Sequence, residues 1–238
     1  RAPVLLLADH AGRAVPRALG RLGVAEPEFE RHIAWDIGTA GLTRLLARRF
    51  DAPALLGVYS RLVVDLNRAL DDPTLMPEIS DGTVVPANRA LDAAAREARL
   101  EAIYRPYHGM VEHLLDGFAG RGVVPAVVSV HSFTPVMRGL ARPWHAGVLW
   151  DRDPRMAVPL IAGLRADPAL VVGDNEPYTG RGAHGTIDRH AVARGLPHVL
   201  VEIRQDLIAT PEGEAEWAAR LADALKPILA DPALYRVE

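Results

Sequence analysis

Short apolar runs of four to six residues alternate along this chain with longer stretches of helical periodicity, and that alternation narrows the fold more than any other feature. A strand that is apolar at every position must be covered on both faces. A chain that passes through a helix between such strands builds a mainly parallel sheet. The spacing predicts strands over residues 3–8, 53–59, 62–66, 125–130, 146–149, 169–172 and 198–203. Helices are expected over 37–50, 89–118, 155–165, 187–194 and 212–229. In the first of these, Leu42, Leu45, Leu46 and Phe50 share one face, and the long second one should bend or break at Pro106. Residues 71–86, rich in Asp, Pro, Gly and Ser, read as a surface loop long enough to be functional. The glycine-rich stretch 173–185 reads as a lid or substrate loop. No repeat, low-complexity segment or composition break divides residues 1–238. The expectation is one α/β domain, with a mainly parallel or mixed central sheet and helices on both faces.

Composition removes several functions. A net charge of −3 without a basic tail gives no reason to expect nucleic acid or a membrane surface as partner, and no apolar run is long enough to span a membrane. Cysteine is absent, which excludes disulfides, thiol nucleophiles and thiolate metal sites, so any metal must be held by imidazole and carboxylate. A cytoplasmic location is the default expectation, and nothing in the pattern specifies an oligomer. Of the 27 basic residues only Lys226 is lysine. So general a bias makes single arginines informative only by position.

Position is where this chain is informative, because its apolar runs stop at polar motifs. The first stops at Asp9-His10-Ala11-Gly12, the central one at His131-Ser132-Phe133, and the last carries Glu202 beside Ile203 and Arg204. Between the first two lie Arg61 and Asp65-Leu66-Asn67-Arg68. In open α/β sheets ligands bind beyond the carboxyl ends of the strands, so these motifs are expected to converge. His10 and His131 are candidate metal ligands, and Asp36, opening the helix at 37–50, is the candidate third; capping that helix is its alternative role. Glu202 is a candidate general base, the alternative being an ion pair with Arg204. Arg61, Asn67 and Arg68 offer forked and amide donors for a carboxylate or an oxyanion. Of the nine histidines, His32, His113 and His198 read as structural, and His108 as a residue behind the pocket.

These motifs, in this order and spacing, resemble the N-formylglutamate amidohydrolase family, whose fold is similar to zinc carboxypeptidases and aspartoacylases. The resemblance runs from Asp9-His10-Ala11-Gly12 through Asp36-Ile37-Gly38-Thr39, Ser60-Arg61, Asp65–Arg68, Tyr104–His108 and Val130–Phe133. It continues through 173–178 to 201–207. It implies a zinc ion, one per chain and replaceable by another divalent metal, on His10 and His131. It also implies Glu202 as base and acid, and Arg61, Asn67 and Arg68 as the group that binds substrate and polarises its carbonyl. Asn175, Glu176 and Tyr178 would contribute to substrate recognition, with His184 and Arg189 as further candidates. Carboxypeptidase-like sites place a glutamate three residues after the first histidine; that position here is Arg13, so the third ligand is expected from elsewhere, and Asp36, which opens the next helix, is the candidate. The implied substrate is a small anionic N-acyl amino acid, N-formyl-L-glutamate first. Its hydrolysis to formate and glutamate is a final step of histidine degradation in some bacteria. The competing readings are the same chemistry on another N-acyl amino acid or peptide, and a non-catalytic metal- or ligand-binding protein on the same scaffold. A nucleotide-dependent enzyme is disfavoured, because no phosphate-cradling glycine loop follows a strand.

Overall fold

The computed structural model describes residues 3–182 and 185–238. Strand β1 (Val4–Ala8) leads through helix α1 (Thr39–Phe50) to β2 (Ala54–Leu56). A hairpin, β3 (Ile79–Ser80) and β4 (Thr83–Val84), precedes helices α2 (Ala93–Arg99) and α3 (Arg105–Ala119). Next come β5 (Ala126–Phe133), a second hairpin of β6 (Val136–Met137) and β7 (Leu140–Ala141), and β8 (Ala146–Leu149). Helix α4 (Pro154–Arg165), β9 (Val172–Asp174), α5 (Thr186–His190), β10 (His198–Arg204) and α6 (Pro211–Leu229) complete the order.

The central sheet has six strands in the order β2-β1-β5-β10-β8-β9. The first four are mutually parallel, β8 runs antiparallel to β10, and β9 is parallel to β8. The sheet is therefore mixed. After β1 the chain steps outward to β2, then returns past β1 to place β5 on its other side. The reversal makes the carboxyl ends of β1 and β5 a topological switch point, where a crevice opens in such sheets.

Strand alternation feeds two cores. Val4, Leu6, Val128, Val130, Val199, Val201 and Ile203 pack with α1, α4 and α6. Leu5, Leu7 and Val127 point the other way and pack with α3 and the segment around Leu62–Leu66. All five β1 residues are buried, which is why this strand reads as an unbroken apolar run. Each such side chain removed from water contributes about 1.5–3 kcal/mol.

Local departures from the sequence reading have identifiable causes. Residues 62–66 are buried but form no strand: the Leu62 carbonyl accepts from Asn88 Nδ2 at 2.9 Å and the Val63 carbonyl from Arg99 at 3.0 Å. Side chains supply the hydrogen bonds that a neighbouring strand would have given. The strand expected over 53–59 ends at Leu56, where Gly57 lets the backbone pass against the Asp9 carbonyl; an added Cβ would overlap it. The helix expected over 89–118 starts at Ala93, with Asp92 accepting from the Ala95 amide at 2.7 Å. Pro106 does not break it. The turn ahead widens, and the Arg105 amide donates to the Leu100 carbonyl in a π-type turn. The short strand expected over 169–172 is shifted to Val172–Asp174, and the loop expected from 71 to 86 includes the β3–β4 hairpin. Among the described residues no helix is long and apolar enough to cross a membrane.

Candidate active site

Beyond the carboxyl ends of β1, β5 and β10 lies a cavity of ≈ 420 Å³ lined by His10, Asp36, Arg61, Asp65, His131 and Glu202, among others. His10 lies just past β1; His131 is inside β5, which continues to Phe133. Glu202 of β10 is the register partner of His131. Adjacent strands lie about 4.8 Å apart, so two residues 71 positions apart in sequence become neighbours on one face. Val199, Val201 and Ile203 turn into the α6-side core, and by alternation Leu200 and Glu202 turn into the cavity.

Asp36 is the centre of the cluster. Its Oδ2 lies 2.8 Å from His131 Nδ1 and 3.3 Å from His10 Nδ1, and its Oδ1 accepts from Arg61 at 3.2 Å. Its side chain does not cap α1, whose N-cap is Gly38, so the capping alternative falls. Each imidazole turns its other nitrogen to a second carboxylate: His10 Nε2 is 2.6 Å from Asp65 Oδ1, and His131 Nε2 is 3.2 Å from Asp9 Oδ2. Arg61 donates twice to Asp65 Oδ2, at 3.1 and 2.9 Å, and the Asn67 amide donates to Asp65 Oδ1 at 2.9 Å. Tyr107 donates its hydroxyl proton to Asp9 Oδ1 at 2.6 Å.

Burial opposes every charge here, and the partners decide the outcome. For Asp36 and Asp65, burial is outweighed by His10 and Arg61, and both carboxyls stay well below the usual range. For His131, burial is outweighed by Asp36 and Asp9, which hold the imidazole well above its usual value. His10 is raised against burial and Arg61 by Asp65 and Asp36. Glu202 differs. Its side chain makes no hydrogen bond, its buried Oε2 has no partner, and burial pushes its carboxyl up to about 7. Arg204, the alternative partner, instead pairs with Asp206 at 2.8 and 3.1 Å.

The donor set suits a divalent cation. One ligand atom from each of His10, Asp36 and His131 falls within 4.8 Å of the others, and all three residues are buried. Once both imidazoles give up a proton to act as ligands, the buried carboxylates of Asp9, Asp36 and Asp65 outnumber the Arg61 guanidinium that pairs with two of them, an excess of negative charge that a cation would offset. Both imidazoles present Nδ1 to the Asp36 oxygen and have Nε2 backed by carboxylate, the orientation that carboxylate–histidine–metal arrangements use.

Other residues singled out from the sequence separate into two groups. Asn67, Arg68 and Tyr178 line the cavity. The Asn67 side-chain oxygen accepts from the Thr186 amide at 2.8 Å, while Tyr178 accepts from Arg142 at 2.9 Å. Asn175 and Glu176 are not on the cavity wall. Asn175 Oδ1 accepts from the amides of Trp150 and Gly180 and shapes the loop, and the Glu176 carbonyl packs against Gly147 and Gly173. Arg189 lies outside the cavity, against the Tyr104 hydroxyl at 3.4 Å, and His184 falls outside the described residues. His108 stands behind the site, its Nε2 3.0 Å from the Leu66 carbonyl and its Nδ1 2.8 Å from His190.

The sequence reading assigned no role to Asp9, Asp65 or Tyr107, although the two aspartates lie inside the motifs that drew attention. A carboxylate at the end of a buried run was the available signal. His32, read as structural, is on the cavity wall 3.5 Å from Asp81. Arg138 also reaches the wall, from the turn of the β6–β7 hairpin, where Arg138 and Gly139 both have positive φ.

A mixed α/β sheet with a buried carboxylate–imidazole cluster at its switch point, one that could hold a cation, belongs to the α/β class whose ligands bind beyond the strand ends. Comparison with known proteins narrows this. The N-formylglutamate amidohydrolase family model matches residues 2–209, and the chain belongs to that family. The N-formylglutamate deformylase of Pseudomonas putida is 32% identical over 236 residues, covering 86% of this chain and 81% of that protein. A gene product of Agrobacterium tumefaciens, known by its crystal structure, superposes with a TM-score of 0.93 at 37% identity, over 97% of this chain and 91% of its own. The N-formylglutamate amidohydrolase structure from Ralstonia eutropha JMP134 superposes with a TM-score of 0.70 at 19% identity, over 96% and 93% of the two chains, and shares the fold.

Proposed function

We propose that residues 1–238 form one metal-dependent amidohydrolase unit that cleaves the amide bond of N-formyl-L-glutamate to give formate and glutamate. The observation that carries this reading is Glu202, a buried carboxylate with no partner beside a His/Asp/His cluster. An unpaired buried carboxylate is a stability cost, and a binding protein has no use for it. The family match and the deformylase relative support the amide and the formyl group.

His10, Asp36 and His131 would hold zinc, which when bound polarises a carbonyl and acidifies water. Arg61, a quarter exposed on the cavity wall, assists at the scissile carbonyl with its remaining N–H groups. Glu202 takes the proton of the attacking water and delivers it to the amide nitrogen, so that the amine leaves neutral. Asn67 and Arg68 receive a carboxylate of the substrate, and Tyr178 contributes to the same cavity wall. Asn175 and Glu176 act by shaping the loop that carries Tyr178.

The test is release of free amine and formate from N-formyl-L-glutamate by zinc-loaded protein, set against a panel of other N-acyl amino acids. Turnover of N-formylglutamate ahead of the panel supports the reading. Turnover of another member alone replaces the substrate, and no turnover of any member overturns the activity.

A further inference from the structure

Behind His131 stand two buried groups, Asp9 and Tyr107, to which the proposed reaction assigns no role. Tyr107 Oη donates to Asp9 Oδ1 at 2.6 Å, and Asp9 Oδ2 faces His131 Nε2 at 3.2 Å. Asp9 is fully buried, His131 is 2% exposed and Tyr107 8%. Neither Asp9 Oδ2 nor His131 Nε2 has a hydrogen-bond partner elsewhere among the described residues, so the polar contact each makes is this 3.2 Å approach to the other. The three residues come from three elements: the end of β1, the first turns of α3 and the middle of β5.

The chemistry of the donors gives this line of groups a direction. A phenol has one proton to give, and burial next to the Asp9 charge keeps Tyr107 protonated. With Oδ1 turned to that hydroxyl, Asp9 presents Oδ2 to His131. A neutral imidazole that points its Nε2–H at a carboxylate carries its lone pair on Nδ1, the nitrogen that faces Asp36 and that would take a metal in place of its proton. The other imidazole is fixed differently. Asp65, behind His10, is anchored by two Arg61 donors and a backbone amide, whereas Asp9 depends on a single hydroxyl.

We infer that Asp9 and Tyr107 form a positioning arm that sets the tautomer and aim of His131, and through it the affinity of the cluster for its metal. This rests on the metal reading of the cluster but not on the identity of the substrate. Outer-shell partners of ligating histidines typically change metal affinity 10- to 100-fold when removed, and that is the effect expected from either Tyr107→Phe or Asp9→Asn. Because Tyr107 acts only through Asp9, the two losses are not additive. The double variant should bind zinc about as weakly as Asp9→Asn alone.

Zinc affinity of the full-length protein is measured by competition with a chromophoric chelator for the unaltered protein, both single variants and the double. Thermal melts of the metal-stripped proteins are run alongside. A zinc affinity unchanged within twofold in Tyr107→Phe overturns the arm, and so do losses that multiply in the double variant. Unaltered protein that fails to bind zinc overturns it too. A fall in melting temperature of the stripped Tyr107→Phe protein without a change in zinc affinity assigns the hydroxyl to tying α3 onto β1, and also overturns it. Should Asp9→Asn not fold, the conservative Tyr107→Phe decides alone. Zinc affinity is read without substrate. Intact coupling in a protein inactive on N-formylglutamate therefore removes the proposed reaction and leaves the arm, and lost coupling in an active protein does the reverse.

Discussion

Replacing Glu202 by glutamine should move activity and stability in opposite directions. The carboxyl is 7% exposed, makes no hydrogen bond and is pushed from 4.5 up to about 7 chiefly by burial. A carboxyl whose folded-state pKa exceeds its unfolded value favours the native state at low pH, and this contribution is lost as pH rises through the folded value. At pH 8 the ionised group therefore costs the stripped protein on the order of 3 kcal/mol, at about 1.4 kcal/mol for each tenfold change in the proton-binding equilibrium. Glutamine removes that charge but leaves an unpaired buried amide, which returns about 1–3 kcal/mol of the gain. The net effect is a rise of about 1 kcal/mol, or roughly 2–4 °C in Tm for a chain of this size. Turnover should fall about 10²–10⁴-fold, the usual contribution of a general acid–base, equivalent to about 3–5 kcal/mol of barrier. The assays are melts of chelator-stripped protein at pH 8 and initial rates of the zinc-loaded enzyme. Unchanged turnover would falsify the catalytic role, and a large fall in Tm would show that Glu202 holds the fold together instead.

Three further outcomes follow from the same geometry. His131→Ala should lose bound zinc, and chelation should abolish turnover until metal is restored; equal zinc content in variant and parent contradicts the His10–Asp36–His131 assignment. Burial holds His108 at about 4 and His190 at about 3, below their ordinary 6.5. Their contribution is thus complete above 6.5 and lost as pH falls toward 4, so His190→Gln should flatten the decline of urea midpoints over that window; parallel declines refute the assignment. N-formylglutamate should exceed N-formylalanine by about 10²-fold or more in kcat/KM if the second carboxylate is read, and Arg68→Lys should erode that preference because an ammonium lacks the fork. Equal rates on the two substrates remove Arg68 from recognition of the second carboxylate.

The sheet and its two helical layers were legible in the sequence because they follow from local pattern. An all-apolar strand such as Val4–Ala8 can only lie between two layers, and the 3.6-residue spacing of Leu42 and Leu46 shows which face of α1 turns inward. His10, His131 and Glu202 were legible for a related reason, since ionisable groups in apolar runs are costly and need a cause. What no local pattern carries is which groups meet. Tyr107 reaches Asp9 across 98 positions, and Asp36 reaches His131 across 95. Arg204 stands two residues from Glu202 yet pairs with Asp206, and the apolar run at 62–66 stays out of the sheet because Asn88 and Arg99 satisfy its carbonyls. Periodicity records which face of an element is buried, but the hydrogen-bond partner of a buried polar group is chosen by strand register and helix packing. The amino-acid sequence alone thus determined the layers and which ionisable groups stand at the strand ends, and the tertiary structure decided the alliances among them.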